Sequence, residues 1–316
     1  MDDKNYFAFA RHALVAGLRH VRVHAGEEIG IPEFICRDVL SSLSAVGAVP
    51  RFYPVDKNLQ PIDCGQSQSA RVVLMVNYFG FPQDISMFSR LWPKAVLVED
   101  NAHGFLSRDE NGRLLGTRTD VGITSVRKTI RVPDGAFLST KAPLDPFLLI
   151  PPEHRVPNLG FRSRAYLSKV EKRTNMPLHQ ISRSAVRAVR WMRTGMTLPP
   201  SDARSERELP TPRAISTWSL NALEKLNADY EIERRRALFR EFAECAKRSN
   251  VELTYPTLPT GCAPYGFPFF SVSPPRDINR LARHHHCEII NWPDLPEAVI
   301  VPDDHFYRQL RVVNFI

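Results

Sequence analysis

Two short, almost unbroken apolar runs constrain this chain most. Residues 70–79, ARVVLMVNYF, carry five consecutive apolar side chains from Val72 to Val76, and residues 95–100, AVLVED, form a second run. A strand with one wet face alternates polar and apolar residues, whereas a strand buried on both faces does not. The segment between them, SMFSRLW, reads as a helix. Two such runs joined by a helix predict neighbouring parallel strands in a sheet covered on both sides. The flanking sequence extends the pattern. GIPEFIC opens with an extended stretch, RDVLSSLSAVG reads as a helix ended by Gly47, and AVPRFYPVD, DVGITSV and GAFLS read as further strands. In sheets of this kind ligands bind at the carboxyl ends of the strands.

Beyond residue 160 the pattern changes. Residues 161–197 are helical and basic, broken by Pro177, with nine Lys and Arg against one acid, Glu171. Arg183, Arg187 and Arg190 are spaced as one helical stripe, which could face nucleotide phosphates, a polyanion or a membrane surface, or simply water. Residues 198–212 read as a loop. A long helix is expected from Ile215 to Lys247, with Leu220, Leu223, Leu226 and Tyr230 at helical spacing. After it, VELTYPTL, FPFFSVS, RDINRLARHHH and EIINWP predict a small α+β domain. The expected organisation is a large domain over 1–160, a basic connection over 161–214, and the long helix with the small domain over 215–316.

Composition excludes several classes. With 43% hydrophobic and 24% charged residues the chain is an ordinary globular protein. No apolar run approaches the ~20 residues of a membrane span. The acidic opening makes a poor signal peptide. Five cysteines without a CxxC pair argue against a zinc site and a disulfide framework, and suit a reducing cytoplasm. The run His284–His286 points in different directions on a helix end, so no metal site is predicted. A net charge of +8 favours anionic ligands without choosing among them.

Two segments carry chemistry. VLVEDNAHG puts Asp100 at the end of a buried strand, with His103 three residues on. A carboxylate there can hold the protonated pyridine nitrogen of pyridoxal phosphate (PLP), and an imidazole can lie against its ring. Read alone, Asp100 could equally cap the next turn and His103 lie at the surface. GTRTDVGITSVRKTIRVPDGA places Lys128 after a short strand and before Pro133, Asp134 and Gly135. A lysine amine there can form a Schiff base with the PLP aldehyde, and Ser125 can donate to the phosphate. Read alone, RKTIR could equally be a basic surface turn.

Together the segments resemble a family. VNYFGFP (76–82), VEDNAHG (98–104), GTRTDVGITSVRK (116–128) and PDGA (133–136) occur in the order of the DegT/StrS-type sugar aminotransferases. Four ordered matches are far more specific than one. The resemblance implies a three-layer α/β/α PLP-transferase fold of type I, with a mostly parallel central sheet and a smaller C-terminal α+β domain. It implies Lys128 as the catalytic lysine, and Asp100, His103, Ser125, Ala10 and Arg11 as cofactor-binding residues. It implies amino transfer from an amino acid, usually glutamate, to a nucleotide-linked keto-sugar, in a homodimer, with no nucleic acid as partner. The alternative is a catalytically silent relative that binds a ligand and regulates. The chain departs from the family at Phe9, Ala10 and Arg11, where members carry Ser–Gly–Thr or Ser–Gly–Arg. It also departs in the short interval from Ser125 to Lys128, which leaves Arg127 as a competitor for the lysine position.

Overall fold

The strand pattern is realised as a seven-stranded sheet in the computed structural model, which describes residues 5–63, 69–174 and 202–316 and the single positions 178, 189 and 192. The strands are β1 (Asn5–Phe7), β2 (Glu28–Pro32), β3 (Val49–Tyr53), β4 (Val72–Val76), β5 (Val96–Asn101), β6 (Val121–Ser125) and β7 (Ala136–Thr140). Their order is β1-β7-β6-β5-β4-β2-β3. From β3 across to β6 all neighbours are parallel, and β7 is antiparallel to both β6 and β1. Every residue of β4 is buried, and so is every residue of β5 except the half-buried Val96, as the unbroken apolar runs require. Helix α1 (Ala10–His20) packs on β6 and β7.

The topology fixes one edge. Because β1 and β6 are both antiparallel to β7, they run in the same direction. Ser125 and Phe7 are paired with the same residue, Ala136, from either side. The carboxyl ends of β1, β4, β5 and β6 therefore share an edge, and α1 begins there, three residues after Phe7. The three-residue β1 was not apparent in the sequence.

The Gly-rich stretch before β6 is a packing device. A Cβ on Gly122 would land on the carbonyl oxygen of Gly116, which itself has φ +81°. Nothing but glycine lets this backbone lie across β6. Gly122→Ala is expected to cost about 3 kcal/mol, as for other overpacked core sites, measured by urea denaturation.

A second, antiparallel sheet has the order β8 (Gly266–Phe270), β10 (Leu310–Asn314), β9 (Glu288–Asn291). Helices α2 (Leu40–Ser44) and α3 (Ile85–Leu91) belong to the connections of the first sheet, and α4 (Leu159–Thr174), α5 (Thr217–Glu224) and α6 (Ala228–Arg248) lie between the two sheets in the chain. Helix α7 (Arg276–His284) joins β8 to β9. Helix α6 packs on β8 and α7, and one apolar core runs through both sheets.

Three expectations need correction or bounding. The single helix expected over 215–247 is two. Ser216 caps α5, and a new N-cap at Asn227, whose side chain accepts from Tyr230 N–H at 3.0 Å, starts α6. The leucine spacing continues across this break, and the cap signal at Asn227 overrides it. The segment VELTYPTL is not a strand and makes only the bridge Leu253–Phe269. Its proline, Pro256, cannot donate to a ladder. Most of the basic stretch beyond Thr174, including Pro177 and the stripe Arg183, Arg187 and Arg190, lies outside the described residues.

Candidate active site

Alternation along β5 places adjacent acids on opposite sides of the sheet edge. Asp100 opens onto a cavity of about 260 Å³, while Glu99 points away into a buried polar network. His103, Ser125, Lys128, Ala10 and Arg11 line the same cavity as Asp100, so all six residues singled out from the sequence converge there. They come from three places at the shared carboxyl edge: the start of α1, the end of β5 and the turn after β6.

That turn is tight. Val126 N–H donates to Gly135 O at 3.0 Å, and Thr129 N–H donates to Val126 O at 2.9 Å. Lys128 is thereby carried inward, with Nζ 3.4 Å from His103 Nε2. His103 Nδ1 accepts from Phe79 N–H at 3.4 Å. Phe79 is held at φ 56°, a left-handed conformation unusual for a phenylalanine, at the turn after β4. With Nδ1 accepting, the proton of a neutral imidazole sits on Nε2, so a hydrogen bond to Lys128 Nζ calls for the unprotonated amine as acceptor. Burial, reinforced by the Lys128 charge, holds the His103 pKa well below its ordinary value, so the neutral ring is the relevant one. One imidazole partner is Tyr265, stacked at 4.5 Å and 21°, and the edge of Trp292 stands 5.3 Å away.

Asp100 is buried, and burial raises its pKa above the ordinary carboxylate value, with Lys128 opposing the shift. Its Oδ1 accepts from Ala102 N–H at 2.8 Å. Oδ2 has no donor among the described residues. The Ser125 hydroxyl, also buried, likewise has no hydrogen-bond partner among them.

At the other end of the cavity, Phe9 precedes α1 without a side-chain cap. Ala10 and Arg11 therefore present uncapped backbone N–H groups at the positive end of a helix dipole. Arg11 pairs loosely with Asp38 at 3.6 Å. Arg127 lies over the Phe9 ring, 5.1 Å from its centroid, and has no carboxylate partner among the described residues. Burial and then the Arg11 charge lower its pKa, and both arginines line the cavity. In the sequence, Arg127 looked like a rival of Lys128. In the structure both residues line the cavity, with Lys128 beside His103 and Arg127 over Phe9.

Beneath the site lies a network that sequence reading missed. Arg118 Nε donates to Glu99 Oε1 at 2.7 Å, Arg118 N–H to Glu99 Oε2 at 2.9 Å, and Arg118 Nη2 to Asn77 Oδ1 at 2.8 Å. Asn77 Nδ2 closes it on Glu99 Oε1 at 2.7 Å. It binds the ends of β4 and β5 to the segment before β6. The available signal was the acid pair Glu99–Asp100: one member had to face the opposite side and find a cation. Tyr265, Trp292 and Cys36, which also line the cavity, carried no comparable signal.

No protein-family model matches the chain, and no curated protein does. Solved structures do match along nearly its whole length. A DegT/DnrJ/EryC1/StrS aminotransferase from Brucella abortus is 16% identical, with TM-score 0.59 over 98% of this chain and 80% of that one. The aminotransferase TlmJ from Streptoalloteichus hindustanus is 19% identical, with TM-score 0.62 over 99% and 80%. GDP-4-keto-6-deoxy-D-mannose-3-dehydratase of E. coli, solved with bound hydrated PLP, is 15% identical, with TM-score 0.59 over 98% and 83%. The chain therefore has the α/β PLP-transferase fold these proteins share. At such identities the likeness establishes the fold, and the chemistry must be argued from the cavity. No helix among the described residues is long and apolar enough to cross a membrane.

Proposed function

We propose that this chain is a PLP-dependent aminotransferase of the DegT/StrS type, passing an amino group from an amino acid such as glutamate to a nucleotide-linked keto-sugar. The observation that carries the reading is the convergence of Lys128, Asp100 and Ser125 in one cavity at the carboxyl edge of the sheet. The donor set suits the cofactor at both ends. Asp100 Oδ2 lacks a donor and suits a protonated pyridine nitrogen. The Ser125 hydroxyl, the α1 N-terminus, Arg11 and Arg127 suit a phosphate dianion, and the two guanidinium groups compensate for the family's missing serine.

When bound, PLP supplies an aldehyde that captures amines and a ring that takes up electrons. The chain's residues do the rest. Asp100 keeps a ring nitrogen protonated. Lys128 Nζ would hold the cofactor at its aldehyde end and, as a free amine, would carry a proton within the site. His103 Nε2 holds a proton toward that amine. Tyr265 and Trp292 wall the cavity against water. The resemblance adds a homodimer, cysteine usage adds a cytoplasmic setting, and the strand and helix pattern adds a large domain over 1–160 joined to a smaller C-terminal one.

The fold also houses a dehydratase, so product analysis must accompany cofactor loading. The purified protein given PLP is expected to yield, after borohydride, an adduct on Lys128 alone. Glutamate should then discharge the cofactor to its amine form and release 2-oxoglutarate. Absence of the lysine adduct defeats the reading; an adduct without amino transfer supports the silent or dehydratase alternative.

Asp100→Asn tests the site's own trade-off. The variant should hold PLP about tenfold or more weakly, for loss of a charge-assisted hydrogen bond. Without ligand it should melt at a higher temperature than the parent at neutral pH. The sign follows from the raised pKa: a buried carboxyl of this kind destabilises the fold as pH rises through that value, and asparagine does not titrate. Dialysis retention and thermal melts read the two effects separately.

A further inference from the structure

We propose that Arg235, on α6, is a positioning residue that fixes the Lys128 turn against Tyr265 by donating to the backbone of both. This rests on Lys128 being the reactive amine. The Arg235 side chain is 0% exposed, and its charge is met by Glu231, whose Oε1 accepts from Arg235 Nε at 2.7 Å. Its remaining donors go to carbonyls. Nη2 donates to Thr129 O, the residue that follows Lys128. Nη1 donates to Pro264 O at 3.0 Å and Tyr265 O at 3.1 Å.

Of these partners, Tyr265 lines the cavity and Thr129 directly follows the cavity-lining Lys128. The Tyr265 ring stacks on His103, and His103 Nε2 is the partner of Lys128 Nζ. A planar guanidinium has fixed donor directions, so one group sets the spacing of both segments. Burying an arginine completely is costly, and an apolar residue could fill the same helix–strand interface. What an apolar residue could not do is hold two backbone carbonyls at a set separation. Glu231 is itself braced by Arg234, which also reaches Phe315 O at 2.8 Å. The clamp thus joins α6, the end of the chain and the lysine turn.

Arg236 supplies the control. It sits on the same helix, is buried, and donates to Pro259 O and Cys262 O at 2.7 Å each, without touching the lysine turn.

The test uses the full chain with two readouts. In ligand-free protein, the pH dependence of Lys128 acylation by acetic anhydride is followed by peptide mass spectrometry. In PLP-treated protein, the rate of borohydride-fixed adduct at Lys128 is measured. Arg235→Lys is expected to slow adduct formation about tenfold or more, as for misplacement of a reacting group by about an ångström. It should also displace the acylation midpoint by about 0.5 pH unit or more. Arg236→Lys should lose comparable melting temperature and change neither readout. Equal behaviour of the two variants overturns the proposal and leaves Arg235 a packing residue.

If Arg235→Lys does not fold, Glu231→Gln, which retains Arg235 but removes its anchor, should move both readouts in the same direction. An unmoved Lys128 in that variant also overturns the proposal. If the parent protein forms no adduct, the cofactor reading fails by itself, and the acylation profile still decides whether Arg235 sets the lysine.

Discussion

Lys128→Ala is expected to form no borohydride-fixed adduct and to lose turnover by about a thousandfold or more, the combined weight of a missing covalent anchor and a missing proton carrier. The variant should still bind PLP reversibly, because Asp100, Ser125 and the two arginines remain. Lys128→Arg should be equally inactive, since a guanidinium stays protonated and presents no lone pair. The companion substitution is Arg127→Ala. It should keep the adduct on Lys128 and weaken cofactor retention, because Arg127, over the Phe9 ring, stands where the phosphate is proposed to bind. Peptide mapping after borohydride separates the two positions. An adduct that survives Lys128→Ala would mean the lysine has been misassigned.

The second large effect concerns stability. Arg118→Met should destabilise the protein by about 3–5 kcal/mol, the usual cost of stranding one member of a buried ion pair. The Arg118 and Glu99 side chains are only 3% and 0% exposed. Such a loss is a large fraction of the roughly 5–15 kcal/mol that holds a typical domain folded. Asn77 Nδ2 would continue to donate to Glu99, which places the effect toward the lower end. Adding Glu99→Gln to Arg118→Met should recover part of the loss, since it removes the stranded charge. Urea denaturation of the two single variants and the double variant gives the coupling directly. A change below about 1 kcal/mol for Arg118→Met would show that the pair contributes little.

Much of the site was legible because its residues sit in short segments whose order is informative. Asp100 and His103 lie on one strand end, and Ser125 and Lys128 on one turn, so local spacing already brings each pair near the carboxyl edge. Ala10 and Arg11 could be placed only through the resemblance. The remaining contributors were hidden for a physical reason. Residues 233–236, ERRR, carry nothing in sequence that marks them as interior, yet Arg235 and Arg236 are buried as carbonyl donors. Burial of a charge depends on partners more than a hundred residues away in the chain, such as Thr129. Tyr265 and Trp292 are ordinary aromatic residues in sequence and become cavity walls only when the second sheet docks. The helix break at Asn227 and the absence of a strand in VELTYPTL show the limit from the other side. There, periodicity persisted where a cap at Asn227 and the proline Pro256 had the stronger claim.

What the sequence determined by itself was the sheet and the direction of its chemistry. Unbroken apolar runs can be satisfied only by strands covered on both faces, and a period of two forces Glu99 and Asp100 to opposite sides. Which of those two acids met a cation in the core and which opened onto the cavity was decided by tertiary structure. Arg118 arrives from the segment before β6 to pair with Glu99, and Lys128 arrives from the turn after β6 to stand near Asp100. A carboxylate cannot remain charged in the interior without a nearby compensating group, and the chain supplies those groups only once it has folded.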